Sequence, residues 1–206
     1  MQKTKNPKII EKQEKKRNHI IWSAFNAIAK IGYINLTVED IAEEAGISKG
    51  GFHYYFETKD EVMFEVMKTF VDFFIVSMNI SVPDKSQPLE RLRGIINYTL
   101  KMSLNQKEYI RVIIDYWAQF NYNKELRDIY LGYQEVVVNH IRGLILSAID
   151  NGQVRENMDP EIVAEIIISE LIGFALGVTW YEEATEDMMA ERIGKTVNHL
   201  FAMFVK

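Results

Sequence analysis

Cysteine is absent from the 206-residue chain, which excludes a disulfide framework, a thiolate zinc site and a cysteine nucleophile together. Proline is scarce, at 4, and glycine numbers only 11, so few positions can break a helix or turn a hairpin. No H-E-x-x-H, P-loop, strand-borne G-x-G-x-x-G or G-x-S-x-G elbow occurs. The four histidines, His19, His53, His140 and His199, share no metal-ligand spacing. Carboxylate pairs such as Glu182-Glu183 and Glu186-Asp187 fall at a helix boundary, where capping and solvation explain them. No catalytic residue, metal or cofactor is therefore expected. The opening Met1-Gln2-Lys3-Thr4-Lys5 lacks the apolar core of a signal peptide. Glu165, Glu170 and Glu182 interrupt the most apolar stretch, so no membrane span or membrane partner is expected either. The expectation is a cytoplasmic, non-enzymatic chain. With 48% hydrophobic residues, it can bury a core without covalent staples.

Positive charge is in short supply overall, with a formal net charge of −5, yet it is concentrated. Residues 1–20 carry seven basic groups against two acidic ones. Residues 1–60 come to +2 and the remainder to −7. A basic head on an acidic body suggests a polyanion at one end, or else a solvated terminus.

Apolar spacing is helical almost throughout. Ile21, Ala24, Phe25, Ile28 and Ile31 mark one face of a first helix, which Gly32 ends. Thr37 caps a short helix with acids in its first turn, stopping at Gly46. Ser48 caps another, expected to run through Tyr55. Thr58 with Glu61 forms a capping box opening a long helix striped by Val62, Met63, Val66, Met67, Phe70 and Phe74. Residues 81–88 read as a loop. Further helices are predicted at roughly 88–104, 107–121 and 124–150, then from Pro160 to about Glu182, and from a cap at Thr185 to 204. The fold class is all-α, with about nine helices.

Two short helices joined by Gly46-Ile47-Ser48 have the dimensions of a helix-turn-helix, whose second helix enters the major groove. At about 100° per residue from Lys49, His53 falls near 40°, Gly50 near 100° and Tyr54 near 140°, while Phe52 and Phe56 fall near 300° and 340°. One face therefore offers donors and the other packs. Gly50 and Gly51 each cost roughly 1 kcal/mol relative to Ala, which makes sense where DNA approaches the backbone. Thr37 and Ser48 stand at helix N-termini, where hydroxyl, free N–H groups and dipole suit a phosphate, and Lys59 can reach another. Taken singly, Thr37 and Ser48 are also plain caps, and Lys59 and His53 plain surface residues.

The whole segment from Thr37 to Lys59 (Thr-Val-Glu-Asp-Ile-Ala-Glu-Glu-Ala-Gly-Ile-Ser-Lys-Gly-Gly-Phe-His-Tyr-Tyr-Phe-Glu-Thr-Lys) resembles the DNA-binding segment of the tetracycline-repressor (TetR) family. That pattern runs Thr-hydrophobic-x-x-Ile-Ala, then Gly-Val-Ser-x-Gly, then an apolar-Tyr-x-x-Phe run and a Lys. The resemblance covers about residues 14–75. It departs at His53, where the family usually has Tyr, so a weaker or pH-dependent contact is expected there. The resemblance implies a homodimer on palindromic operator DNA, usually repressing and released by a small-molecule effector. It implies phosphate contacts at Thr37, Ser48, Tyr54 and Lys59, and groove contacts at Lys49, Gly50, Gly51 and His53. The expected division is 1–75 for arm and DNA-binding unit (motif 37–56) and 76–206 for effector binding and dimerisation.

Residues 88–206 look loosely like the betaine-regulator-type branch of that family, through Trp117, the Asn123–Tyr130 stretch and Gly152 before Asp159-Pro160. The helix from Pro160 is apolar nearly all round and needs two covers. In the family a symmetry mate supplies the second, and Leu200, Phe201 and Phe204 fit such an interface; burial within one subunit is the alternative. Tyr98, Met102, Trp117, Phe120, Tyr133, Phe174 and Trp180 are candidate effector-pocket residues, or simply core. With Glu170 as counter-charge they would cage a quaternary amine; without it they would hold an apolar molecule. A helical scaffold acting through its acidic body is the remaining alternative, and it predicts no salt-dependent DNA binding.

Overall fold

The computed structural model describes residues 7–81, 87–180 and 186–205. Among these, nine helices and no strand occur: α1 (Pro7–Ile31), α2 (Val38–Glu44), α3 (Lys49–His53), α4 (Lys59–Ser81), α5 (Pro88–Asn105), α6 (Lys107–Ala118), α7 (Lys124–Asp150), α8 (Pro160–Trp180) and α9 (Glu186–Phe204). The all-α expectation holds, with shifted ends. α3 stops at His53 rather than Tyr55, and α6 at Ala118 rather than 121.

Local capping sets most helix starts. Thr37 accepts the Asp40 N–H at 3.2 Å while the Asp40 carboxylate accepts the Thr37 N–H at 2.8 Å, a reciprocal capping box. Asp159 accepts the Glu161 N–H at 2.9 Å ahead of α8. At α4 the box is offset by one residue. Thr58 accepts the Glu61 N–H at 3.1 Å, but the Glu61 carboxylate takes the N–H of Glu57, at 2.6 Å, not that of Thr58. The cap expected at Thr185 lies outside the described residues.

Two apolar clusters form the interior. The first joins α1–α4 to α6 and the start of α7, with Ile20, Ile41, Phe52, Phe56 and Met63 packed among Val112, Tyr116 and Leu126. The buried Tyr116 hydroxyl donates to the Leu126 carbonyl at 2.8 Å. The second cluster joins α5, α7, α8 and α9. Of the stripe expected on α4, Val62, Met63, Val66, Met67 and Phe70 are buried; the Phe74 side chain lies outside the description. α4 runs without a break past residue 75, so the expected division falls inside a helix that both halves share.

Two expectations about the C-terminal helices change. α8 is long and apolar enough, by length and composition, to cross a membrane, because Glu165 and Glu170 are too few to exclude it. Here Val163, Ala164, Ile167, Ile168, Leu171, Phe174, Gly177 and Val178 are instead buried against the other helices. Leu200, Phe201 and Phe204, expected at an interface, pack into the core of their own chain. They are at most 4% exposed within their own chain, and the Arg93 guanidinium lies over Phe201 at 4.1 Å.

Candidate nucleic-acid interface

α2 ends at Ala45, and Gly46 follows at φ +64°, a left-handed turn that a side chain would strain. The Ile47 N–H returns to the Ala42 carbonyl at 2.9 Å. Ser48 then caps α3, accepting the Gly51 N–H at 3.1 Å, which leaves its own O–H to donate outward. Five residues cannot hold a helix by themselves. α3 is held by Phe52 and Phe56, at 0% and 1% exposed, and it presents Lys49, Gly50, His53 and Tyr54 to solvent. The faces expected from helical angle are the faces observed.

The exposed groups are already engaged. Lys49 Nζ lies 2.5 Å from Glu39 Oε1 on α2, and that hydrogen bond holds the Glu39 carboxyl below the usual range. The Tyr54 hydroxyl accepts from Gln13 Nε2 at 2.8 Å, tying α3 to the stretch of α1 on which Lys12 and Lys16 are exposed. Neither Gln13 nor Glu39 was a candidate from sequence; Glu39 lies ten residues from its partner and Gln13 forty-one from Tyr54, and no local pattern signals either pair. Thr37 donates its hydroxyl to Asp40 at 2.6 Å, so a phosphate there competes with the cap. The phosphate contact expected of Lys59 competes with partners inside the chain. Its ammonium donates to the carbonyls of Tyr33 at 3.1 Å and Leu36 at 2.9 Å and sits over the Tyr33 ring. In the free chain Lys59 fastens the loop ahead of α2.

The two glycines of α3 differ. A Cβ on Gly51 would meet Ile47 and Ser48 at 3.4 Å, whereas one on Gly50 meets nothing nearer than Ser48 Oγ at 3.9 Å. The chain itself gives no reason for glycine at 50. Gly50→Ala is therefore expected to raise stability by about 0.5–1 kcal/mol. It should also lower operator affinity about tenfold, the low end of what a base contact contributes. Chemical denaturation beside a DNA titration checks both signs.

The effector candidates separate sharply. Met102, Trp117 and Tyr133 line a cavity of about 220 Å³ between α4, α5, α6, α7 and α8. The others do not. Tyr98 packs with Ile95 and Leu144, and Phe120 stacks among Tyr116 and Tyr130 in the first cluster. Phe174 is core, 3% exposed, and Trp180 is 72% exposed at the end of α8. Glu170 faces an outer groove between α8 and α9 beside Lys195 and His199, because the helical phase of α8 turns it away from the cavity. The cage expected for a quaternary amine thus lacks its carboxylate.

The comparisons agree with this geometry. Residues 20–66 match the model of bacterial regulatory proteins of the tetR family, and residues 88–202 match that of the BetI-type transcriptional repressor C-terminal domain. A fatty acid metabolism regulator protein of Bacillus subtilis is 26% identical over 82% of each chain. The transcriptional regulator BetI of Brucella canis is 24% identical over 88% of this chain and 91% of its own. A TetR regulator from Haloarcula marismortui superposes with a TM-score of 0.83 at 20% identity, covering 94% of this chain and 100% of that one. A putative regulator from Saccharomonospora viridis, in complex with choline, does so at 0.79 and 21% identity, covering 94% and 99%. Helix-turn-helix, helical body and both family models coincide: the chain belongs to the TetR family of transcriptional regulators, with a BetI-type C-terminal domain.

Proposed function

We propose that this regulator is a repressor that binds a palindromic operator as a dimer through α3 and leaves it when a small molecule fills the cavity. Acting on chromosomal DNA, it works in the cytoplasm. The observation that carries the reading is α3 itself. It is a five-residue helix anchored by Phe52, with Lys49, Gly50 and His53 turned outward and, among the described residues, nothing nearer a Cβ on Gly50 than Ser48 Oγ at 3.9 Å. The second copy is supported by α8, where Ile162 and Ile166 remain 53% and 44% exposed, and Met203 on α9 39%. A helix with apolar residues on its outer side needs a cover. Selection of bound genomic fragments tests the reading, and Lys49→Ala should then relax sequence preference at one position of each half-site.

The cavity and the DNA-binding unit share one wall. Tyr109 of α6 packs between Phe25 of α1 and Phe70 of α4, at 4.8 and 4.6 Å between ring centroids. Two turns further along α6, Asp115 Oδ2 accepts the Tyr33 N–H at 2.8 Å. Gly32, at φ +77°, allows that approach, since a Cβ there would stand 3.3 Å from the same oxygen. Tyr33 is 5% exposed and its hydroxyl donates to Asp60. Burial, then Asp60, pushes that phenol's pKa well up. A ligand that shifts α6 therefore pulls on the loop leading to Thr37 and α2. Asp115→Ala is expected to cost about 1–3 kcal/mol, by stranding the Tyr33 N–H, and to weaken operator binding in the absence of any ligand. Thermal denaturation and DNA titration of the variant check it.

A further inference from the structure

Among the described residues, no charged side chain lines the α4–α8 cavity. Its wall is chiefly aliphatic and aromatic, with Phe70, Tyr109 and Trp117 among its aromatic residues and Ile168, Leu171 and Ile172 among its aliphatic ones, and Gln134 adds one uncharged amide. Its small polar groups are turned inward to the backbone. The Thr99 hydroxyl donates to the Ile95 carbonyl and the Ser103 hydroxyl to the Thr99 carbonyl, both at 2.9 Å. One donor stands out. The Trp117 indole N–H is buried and points toward the Tyr130 hydroxyl without reaching standard hydrogen-bond geometry, its ring edge-on to Tyr130 at 5.7 Å. Burial pushes the phenols of Tyr109, Tyr130 and Tyr133 up, with Asp72 and Glu65 adding to the last from outside the lining. Burial there disfavours a charge of either sign, and the field of Asp72 and Glu65 adds to the cost for an anion alone.

We infer that this cavity takes a neutral, largely apolar molecule carrying one hydrogen-bond acceptor, such as an alcohol, ketone or ester oxygen on a hydrocarbon body, and that it rejects quaternary ammonium compounds. This holds even though the C-terminal domain is of BetI type and a similarly folded regulator has been seen with choline. A cation in this space would be stripped of water with no carboxylate among the described lining residues to replace it, Asp72 and Glu65 acting only from outside the wall. Aromatic faces attract cations, but here most of the surface is aliphatic. An acceptor oxygen instead gives the Trp117 N–H a better-aligned partner than the Tyr130 hydroxyl beside it, and a poorly paired buried donor carries a cost. The regulatory meaning of the site rests on the effector-release reading above, while the binding itself does not.

Calorimetry and thermal shift on the full chain, with four probes, test the inference. 1-Octanol, octanoate and octyltrimethylammonium share one chain and differ in charge, and choline is the fourth. 1-Octanol is expected to bind at least tenfold more tightly than either charged eight-carbon probe, and choline to give no response. Trp117→Phe should weaken 1-octanol about fivefold or more. Ala175→Leu, which fills the cavity, should abolish it while operator binding persists; Ile113→Phe serves if the first variant does not fold. Choline or octyltrimethylammonium binding as tightly as 1-octanol would overturn the inference. So would preference for octanoate, no response to 1-octanol, or 1-octanol binding indifferent to both cavity-filling variants. If 1-octanol binds and operator affinity stays unchanged, the release reading fails and the cavity assignment stands.

Discussion

Phe52→Ala is expected to destabilise the chain by about 3–5 kcal/mol and to abolish operator binding. The ring is fully buried in the cluster that joins α1–α4 to α6, next to Phe56 at 5.8 Å between centroids. Removing a buried Phe side chain loses its transfer free energy and leaves a cavity. Set against a typical total of 5–15 kcal/mol, that loss is large. Its effect on α3 is larger still, because a helix of five residues has almost no stability of its own and Phe52 is the buried residue within it. α3 should come loose before the rest of the chain unfolds. Phe52→Leu keeps most of the volume and should cost less, with partial DNA binding. Denaturant titration beside DNA titration decides. A cost below 1 kcal/mol with wild-type affinity would mean that something other than this ring positions the recognition helix.

The second large effect is on salt. Raising monovalent salt from 50 to 200 mM is expected to lower operator affinity by about 10³ or more, as for proteins making six to ten phosphate contacts. A chain of net charge −5 would not suggest this. The attraction arises at one end, where residues 1–60 come to +2 and the rest to −7, and where Ser48, Lys49, Lys12 and Lys16 are exposed. Lys12→Gln and Lys16→Gln should each make the log–log slope shallower by about 1, the share of a single neutralised phosphate, without altering which sequence is preferred. Affinity indifferent to salt would favour the scaffold reading.

How much of this was legible beforehand depended on distance along the chain. The caps at Thr37 and Ser48, the turn at Gly46 and the two faces of α3 are local, and residues a few positions apart carried them. At Lys59 the information missing from the sequence was tertiary context. The residue looks like a free surface lysine until the loop from Gly32 to Leu36 folds over it and takes its ammonium. The hydrogen bond between Asp115 and the Tyr33 N–H spans 82 positions and has no local signature. The pocket was half legible for a different reason. Cavity walls and cores are built from the same aromatic and aliphatic residues, so Met102, Trp117 and Tyr133 could not be told from Phe120 and Phe174 by type. Glu170 was misplaced by helical phase alone: it shares α8 with Leu171, yet faces the outer groove.

Footprinting of the dimer on a fragment recovered by selection tests the central claim most directly. The account predicts two protected patches on one face of the duplex, centred about 34–36 Å apart and related by a palindrome, with protection lost in Phe52→Ala. Selection that enriches no sequence, or protection that survives loss of the recognition helix's anchor, would contradict it.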